Sequence, residues 1–184
     1  MNNMKSSRLS LFLMELIIAI FFFCLAAGVS VRLFASAHTL SERTENLENA
    51  VMWSQNLSET FVAKKGDLAA ISKLFPDGFV SESDVGSTGR EGSIILIFDD
   101  KWELIENTLS DASYEVILST SLRDASDVYS DVNTYNAALT GKAVAGDIAV
   151  YDLRGSDGIL TQISENEDDA FYNLKVDVYI GEEE

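Results

Sequence analysis

The feature that most constrains this chain is an apolar run near its start. From Leu11 to Val31 the sequence has 21 residues, and the only charged side chain among them belongs to Glu15. A helix rises about 1.5 Å per residue, so this run is long enough to cross a hydrocarbon core of about 30 Å. The run therefore predicts a transmembrane helix, which we place at residues 11–32.

The charges on either side of the run predict its orientation. Lys5 and Arg8 precede it and Arg32 follows it, whereas the chain from Leu33 onward has 10 basic and 29 acidic residues, a net charge of -19. Basic flanks favour the cytoplasmic side of a membrane. We therefore expect residues 1–10 to form a basic cytoplasmic leader of a single-pass cell-membrane protein whose C-terminal domain is extracytoplasmic. The acidic excess also argues against nucleic-acid binding.

A secretory signal peptide is an alternative interpretation of the same segment. The small residues Ala35-Ser36-Ala37 follow a basic start and an apolar core, so cleavage after Ala37 would release a secreted domain beginning at His38. The run is longer than the usual apolar region of about 7–15 residues. This length favours a retained membrane helix over a cleaved signal peptide.

The segment around Glu15 carries a family resemblance. RLSLFLMELIIAIFFF resembles the N-terminal signature of type IV pilins and type II secretion pseudopilins, which combines a basic leader, a small residue and an apolar run with Glu at its fifth position. Ser10 stands where the family usually has Gly, and Leu11 where Phe is typical. The resemblance implies cleavage by prepilin peptidase between Ser10 and Leu11.

The resemblance also implies a role for Glu15. Its carboxylate would pair with the N-terminal amine of a neighbouring subunit and so help to set the register of a filament. A charged group within a membrane is costly unless it is paired, and it commonly marks a functional position. The alternative is that Glu15, near the cytoplasmic end of the run, extends toward the lipid headgroups.

Beyond the membrane segment the helical pattern continues over residues 33–66. Alternating spacings of four and three residues connect the positions Leu33, Ala37, Leu40, Thr44, Leu47, Val51, Ser54, Ser58 and Phe61. This stripe predicts that the outer half of one long helix packs on a domain of its own chain. Lys64, Lys65 and Gly66 form a typical helix stop.

Residues 67–184 are predicted to form the extracytoplasmic domain. Asp67 can cap a short helix ending near Phe75, Pro76-Asp77-Gly78 predicts a turn, and residues 81–92 read as an exposed loop. Strand-like patterns follow at IILIFD, KWELIE, YEVILST, AVAGDIAVYDL, GILTQIS and FYNLKVDVYI. The predicted fold class is α+β, with a long N-terminal helix packed on a small, mainly antiparallel, pilin-like β-domain.

The sequence offers little for catalysis. It has one histidine, His38, and one cysteine, Cys24, and no common nucleophile, zinc or phosphate-binding motif. The acidic interval 124–133 contains Asp124, Asp127, Asp131 and Asn133 but lacks the spacing of an EF-hand loop, so we interpret it as a solvated surface. We predict no enzyme activity, no catalytic residue, no cofactor and no metal site.

These observations together predict a structural protein. By the resemblance, the chain is a prepilin-like subunit of a type IV pilus, competence or type II secretion filament, assembling through its apolar helix. Its partners would be prepilin peptidase, other pilin-like subunits, an assembly platform and the membrane. The alternatives are a single-span envelope protein whose acidic outer domain binds a partner, and the domain secreted after cleavage at Ala37.

Overall fold

The computed structural model describes residues 3–82, 89–105, 111–130, 139–156 and 158–182, without the side chains of 3–10, Glu82 and Glu167. It divides into two compact units, Met1–Asn46 and Leu47–Glu184. The boundary falls inside the predicted outer half of the long helix, residues 33–66.

The first unit is helical. Helix α1 spans Asn3–Ala63, so it forms all described structure of the first unit and continues into the second. Its most apolar 18-residue window has a mean hydropathy of 2.6, and no part of that window is buried. Among the described residues this is the one helix long and apolar enough to cross a membrane.

The second unit is built on one antiparallel sheet. Its five strands lie in the order β1-β2-β3-β4-β5. They are β1 Phe79–Glu82, β2 Gly92–Phe98, β3 Tyr114–Asp124, β4 Lys142–Asp152 and β5 Tyr172–Gly181. Two short helices, α2 Leu68–Ser72 and α3 Ala125–Val128, complete the regular structure together with a 3-10 turn at Glu167–Asp169.

One face of the sheet packs against the last turns of α1. The fully buried residues of this core include Leu57, Phe61, Ile94, Leu96, Val116, Leu118 and Val144. Gly146 makes room for Phe61, because a Cβ at this glycine would lie 3.1 Å from Cε2 of the ring. Helix on antiparallel sheet is the predicted α+β arrangement, and the structure confirms it.

The opposite face of the sheet is also covered, though by loops. Its buried residues are Ile95, Ile97, Ile117, Ala149 and Tyr151, and loop residues pack against them: Ile105, Ala112, Ile159, Leu160, Ile163 and Ala170. A sheet covered on both faces loses the alternation of apolar and polar side chains in its central strands. β3 accordingly begins with five buried residues in succession, from Tyr114 to Leu118.

The predicted helix stop and cap are confirmed. Lys65 and Gly66 adopt φ values of 53° and 71°, and the Gly66 N–H donates to the Phe61 carbonyl at 3.0 Å. A residue in the left-handed region after the last helical turn is a common way to end a helix. Asp67 then caps α2, since its Oδ1 accepts a hydrogen bond from the Ala70 N–H at 3.0 Å.

Two predicted strands are wrong. KWELIE forms a turn with a single bridge, Phe98↔Leu104, and GILTQIS has no strand in its described residues. Both segments instead supply apolar side chains to the loops over the second sheet face, including Ile105 and Leu160. The predicted exposed loop 81–92 is wrong at its ends, because Ser81 belongs to β1 and Gly92 begins β2. Its central residues 83–88 lie outside the described residues.

The predicted helix stripe is wrong over its first half. Leu33 and Leu40, which the stripe predicts to be buried, are each 66% exposed. Farther along, the buried residues are Ala50, Ser54, Leu57 and Phe61. Val51 and Ser58, which the stripe predicts to be buried, are only partly buried.

Candidate assembly helix

The candidate site is the start of the apolar part of α1. Glu15 is exposed there and lines a shallow surface depression with Leu11, Phe12, Met14 and Ile18. Residues three and four apart share one face of a helix, which is why Leu11, Glu15 and Ile18 lie together. The site is thus a carboxylate surrounded by apolar side chains.

The carboxylate of Glu15 lacks a polar partner among the residues that the structure describes. A carboxylate among apolar groups is costly unless a cation or a hydrogen-bond donor meets it. Such a group is stabilised by a cation, by a hydrogen-bond donor or by contact with water.

The predicted leader-cleavage position lies next to this surface. The Ser10–Leu11 peptide bond belongs to α1, which begins at Asn3, and Leu11 is 66% exposed. The bond is therefore in helical conformation in the uncleaved chain. Lys5 and Arg8 also lie on α1, and their side chains are outside the described set.

Arg32 marks the opposite end of the apolar run. It lies beside a second apolar surface, formed by Phe21, Cys24, Leu25, Gly28 and Val29. Arg32 lies 17 positions after Glu15 on this helix, a rise of roughly 25 Å. The helix therefore keeps Glu15 and Arg32 near opposite ends of the apolar run.

The acidic interval of the outer domain is only partly described. The Lys142 Nζ donates to Asp124 Oδ1 at 2.9 Å, and both side chains are exposed. Asp131 and Asn133 lie outside the described residues. Among the residues that the structure describes, there is no group of three or more His, Cys, Asp or Glu side chains placed to hold a metal ion.

Sequence reasoning missed one unusual carboxylate, that of Glu115. It lies in β3 on the loop-covered face of the sheet and is 0% exposed. Its Oε2 accepts a hydrogen bond from the Leu160 N–H at 3.0 Å, while its Oε1 has no partner among the described residues. Burial raises the pKa of Glu115 to about 7, and the Leu160 bond opposes that rise.

A second anchor holds the same loop. The Ser164 N–H donates to the Tyr151 hydroxyl at 2.9 Å, and burial raises the pKa of this tyrosine. Glu115 and Tyr151 are cross-strand partners in the pairing of β3 with β4. The loop that carries Leu160 and Ser164 is therefore fixed to adjacent strands through two backbone N–H groups.

Two polar cavities open beside this loop. They have volumes of about 230 and 540 Å³ and share Ser119 and Ile163 in their linings. The larger cavity is lined mainly by hydroxyl side chains, whereas the smaller one contains the charged residues Asp147, Glu165 and Lys175. Neither lining contains a histidine or a cysteine.

Comparison with known proteins gives no assignment: no protein-family model, no curated protein and no solved structure matches the chain. The features that bear on function are therefore the sequence around Glu15 and the exposed apolar surface of α1 on which that residue lies.

Proposed function

We propose that the chain is a prepilin-like structural subunit of a type IV pilus, competence or type II secretion filament. The observation that carries the proposal is the placement of Glu15, the one charge in the run 11–31, five residues after Ser10. This placement reproduces the pilin-like signature, and the carboxylate has no partner among the described residues.

The exposed surface of α1 supports this assembly mechanism. Phe12, Phe22 and Phe23 are each more than 60% exposed, and the other apolar side chains of the run are exposed with them. Lipid can cover such a surface while the subunit is in the membrane. In a filament outside the membrane, the same surface is stabilised when the helices of several subunits bundle together and exclude water.

Glu15 would act as the device that selects register. Apolar packing alone tolerates sliding of one helix along another, whereas an ion pair in a low dielectric is strong only at one offset. Pairing of Glu15 with the amine of Leu11 in a neighbouring subunit fixes an offset of four residues, about 6 Å along the helix axis. The acidic outer domain would then face solvent.

Intact-mass measurement of the membrane-extracted protein tests the processing step. A mature chain beginning at Leu11 is the expected result, with prepilin peptidase as the processing enzyme. A chain beginning at Met1 would instead favour a single-span envelope protein. A chain beginning at His38 would show that the segment is a signal peptide and that the domain is secreted.

The variant Glu15→Gln tests the pairing role, because it removes the charge and keeps the shape. We expect it to reduce incorporation into sheared filaments by at least about tenfold, since it leaves the neighbour's amine unpaired. Glu42→Gln is the matched control, because Glu42 is exposed on the same helix outside the apolar run. If E15Q assembles as well as E42Q, the pairing role is wrong.

A further inference from the structure

Helix α1 exposes an apolar stripe just beyond the predicted membrane segment. Leu33 and Leu40 are each 66% exposed, Phe34 is 78% exposed and Leu47 is 45% exposed. Apolar side chains this large that recur on one side of a helix usually mark a surface that another helix covers. We call residues 33–47 of α1 the juxtamembrane segment.

The spacing within the juxtamembrane segment is that of a coiled coil. Leu33, Leu40 and Leu47 are seven residues apart, and Ala37 and Thr44 lie four residues after the first two of them. In heptad notation the leucines occupy d positions and the other two occupy a positions. Leucine at d is typical of parallel pairs of helices, and Thr44 is β-branched, like the Ile or Val that such pairs favour at a.

From this pattern we infer that the juxtamembrane segment pairs, parallel and in register, with the same segment of a second copy of this chain. Membrane insertion imposes the parallel orientation, because both copies enter the bilayer in the same direction. In heptad notation the flanking residues Arg43 and Glu48 occupy g and e positions. A parallel, in-register pair brings g of one helix next to the following e of its partner, so Arg43 of each copy meets Glu48 of the other.

The register upstream is compatible with this pairing. Ala26 and Ser30 occupy the preceding d and a positions on the same continuous helix. The Ser30 hydroxyl donates to the Ala26 carbonyl at 2.9 Å, so its polar atom is satisfied within the helix. Small residues at these positions let two helix backbones approach closely inside a bilayer.

This contact differs from the filament contact proposed above and goes beyond it. Pairing of Glu15 with the Leu11 amine of a neighbour requires a four-residue offset, whereas the juxtamembrane pair has no offset. The pair therefore belongs to subunits in the membrane, and it can form whether or not a filament assembles. Loss of one contact does not imply loss of the other.

Disulfide trapping of the full-length chain in membrane vesicles tests the pairing. The background variant is Cys24→Ser, to which Leu40→Cys is added at the centre of the stripe. Glu42→Cys is the matched control, since Glu42 is exposed on the same turn and points away from the stripe. On mild oxidation we expect at least about fivefold more homodimer from L40C than from E42C, because d residues face their own counterparts.

The flanking charges provide a second test, in the L40C background. Arg43→Glu places like charges together in both symmetric contacts, so the trapped dimer should fall by about threefold. Adding Glu48→Arg restores opposite charges and should restore the dimer. Leu33→Cys, one heptad earlier, should cross-link as L40C does.

Several outcomes would overturn the inference. These are equal cross-linking of L40C and E42C, no rescue by the charge reversal, or a mixed disulfide with a different protein in place of the homodimer. Glu15→Gln separates this inference from the filament proposal. The trapped dimer should persist in E15Q even where filament incorporation is lost, and its disappearance there would contradict a separate contact.

Discussion

At the scale of single residues, Glu115 is the side chain whose energetics depend most clearly on pH. Its carboxyl is buried on the loop-covered sheet face, and burial raises its pKa from 4.5 to about 7. The native state therefore favours the protonated form. The stability that this group contributes is fully present below about pH 4.5 and is lost as the pH rises through about 7.

Glu115→Gln should remove this dependence, because the amide keeps an oxygen for the Leu160 N–H and does not ionise. One pKa unit corresponds to about 1.4 kcal/mol. We therefore compare the unfolding free energy of Glu115→Gln with that of wild type at two pH values. The variant's advantage should be larger at pH 8 than at pH 5, by on the order of 2 kcal/mol. Urea unfolding in detergent, followed by tryptophan fluorescence, measures it, since Trp53 and Trp102 both belong to the core. A difference that does not change with pH would contradict the assignment.

At the scale of elements, the end of α1 depends on one glycine. Gly66 has φ +71°, and a Cβ there would lie 2.7 Å from Cγ1 of Val144 in β4. Gly66→Ala should therefore lower the unfolding free energy by about 2–4 kcal/mol, part from the left-handed backbone and part from the clash.

Gly89 provides the matched control for this prediction. Its φ is +65°, and a Cβ there would meet none of the described residues within 4 Å. Gly89→Ala should cost only about 1 kcal/mol, the backbone part alone. Equal losses in the two variants would mean that the close approach of Gly66 to Val144 contributes nothing.

The same elements show how far the sequence predicts the fold. Strands β2 to β5 were predicted from their apolar patterns, and the stop at Gly66 and the cap at Asp67 from residue types whose geometry is local. KWELIE and GILTQIS were misassigned because an apolar loop over a sheet has the same composition as a strand. β1 was missed because it is four residues long and directly follows the Pro76 turn.

The carboxylates of Glu15 and Glu115 also differ in how readily the sequence reveals them. Glu15 stands out in the sequence because every residue around it is apolar, so a single charge is conspicuous. Glu115 does not stand out, because in YEVILST it has the position of a solvent-facing polar residue in a strand of alternating apolar and polar side chains. Its burial depends on the loop around Leu160, which is 45 residues away in the chain. No local pattern encodes a contact of that sequence separation.

At the scale of the whole molecule, the acidic charge and the hydrophobic core lie in the same unit. The core lies in Leu47–Glu184, and the sequence from 41 to 184 has 10 basic and 29 acidic residues, a net charge of -19. Because the core does not draw on the apolar run, a fragment of residues 41–184 should fold without the membrane segment. Far-UV circular dichroism of this fragment in detergent-free buffer should show a cooperative thermal transition, and a chain without one would show that the membrane half is needed for folding.

The charge of the fragment gives the last prediction. A net charge of -19 on a domain of this size opposes the compact state through self-repulsion, which salt screens over a Debye length of about 10 Å at 0.1 M. Raising NaCl from about 20 mM to about 500 mM should therefore raise the Tm of residues 41–184 by several degrees. Potassium chloride should act equally, because screening depends on ionic strength and not on the cation. A Tm that is insensitive to both salts would mean that local ion pairs such as Lys142–Asp124 already offset the repulsion.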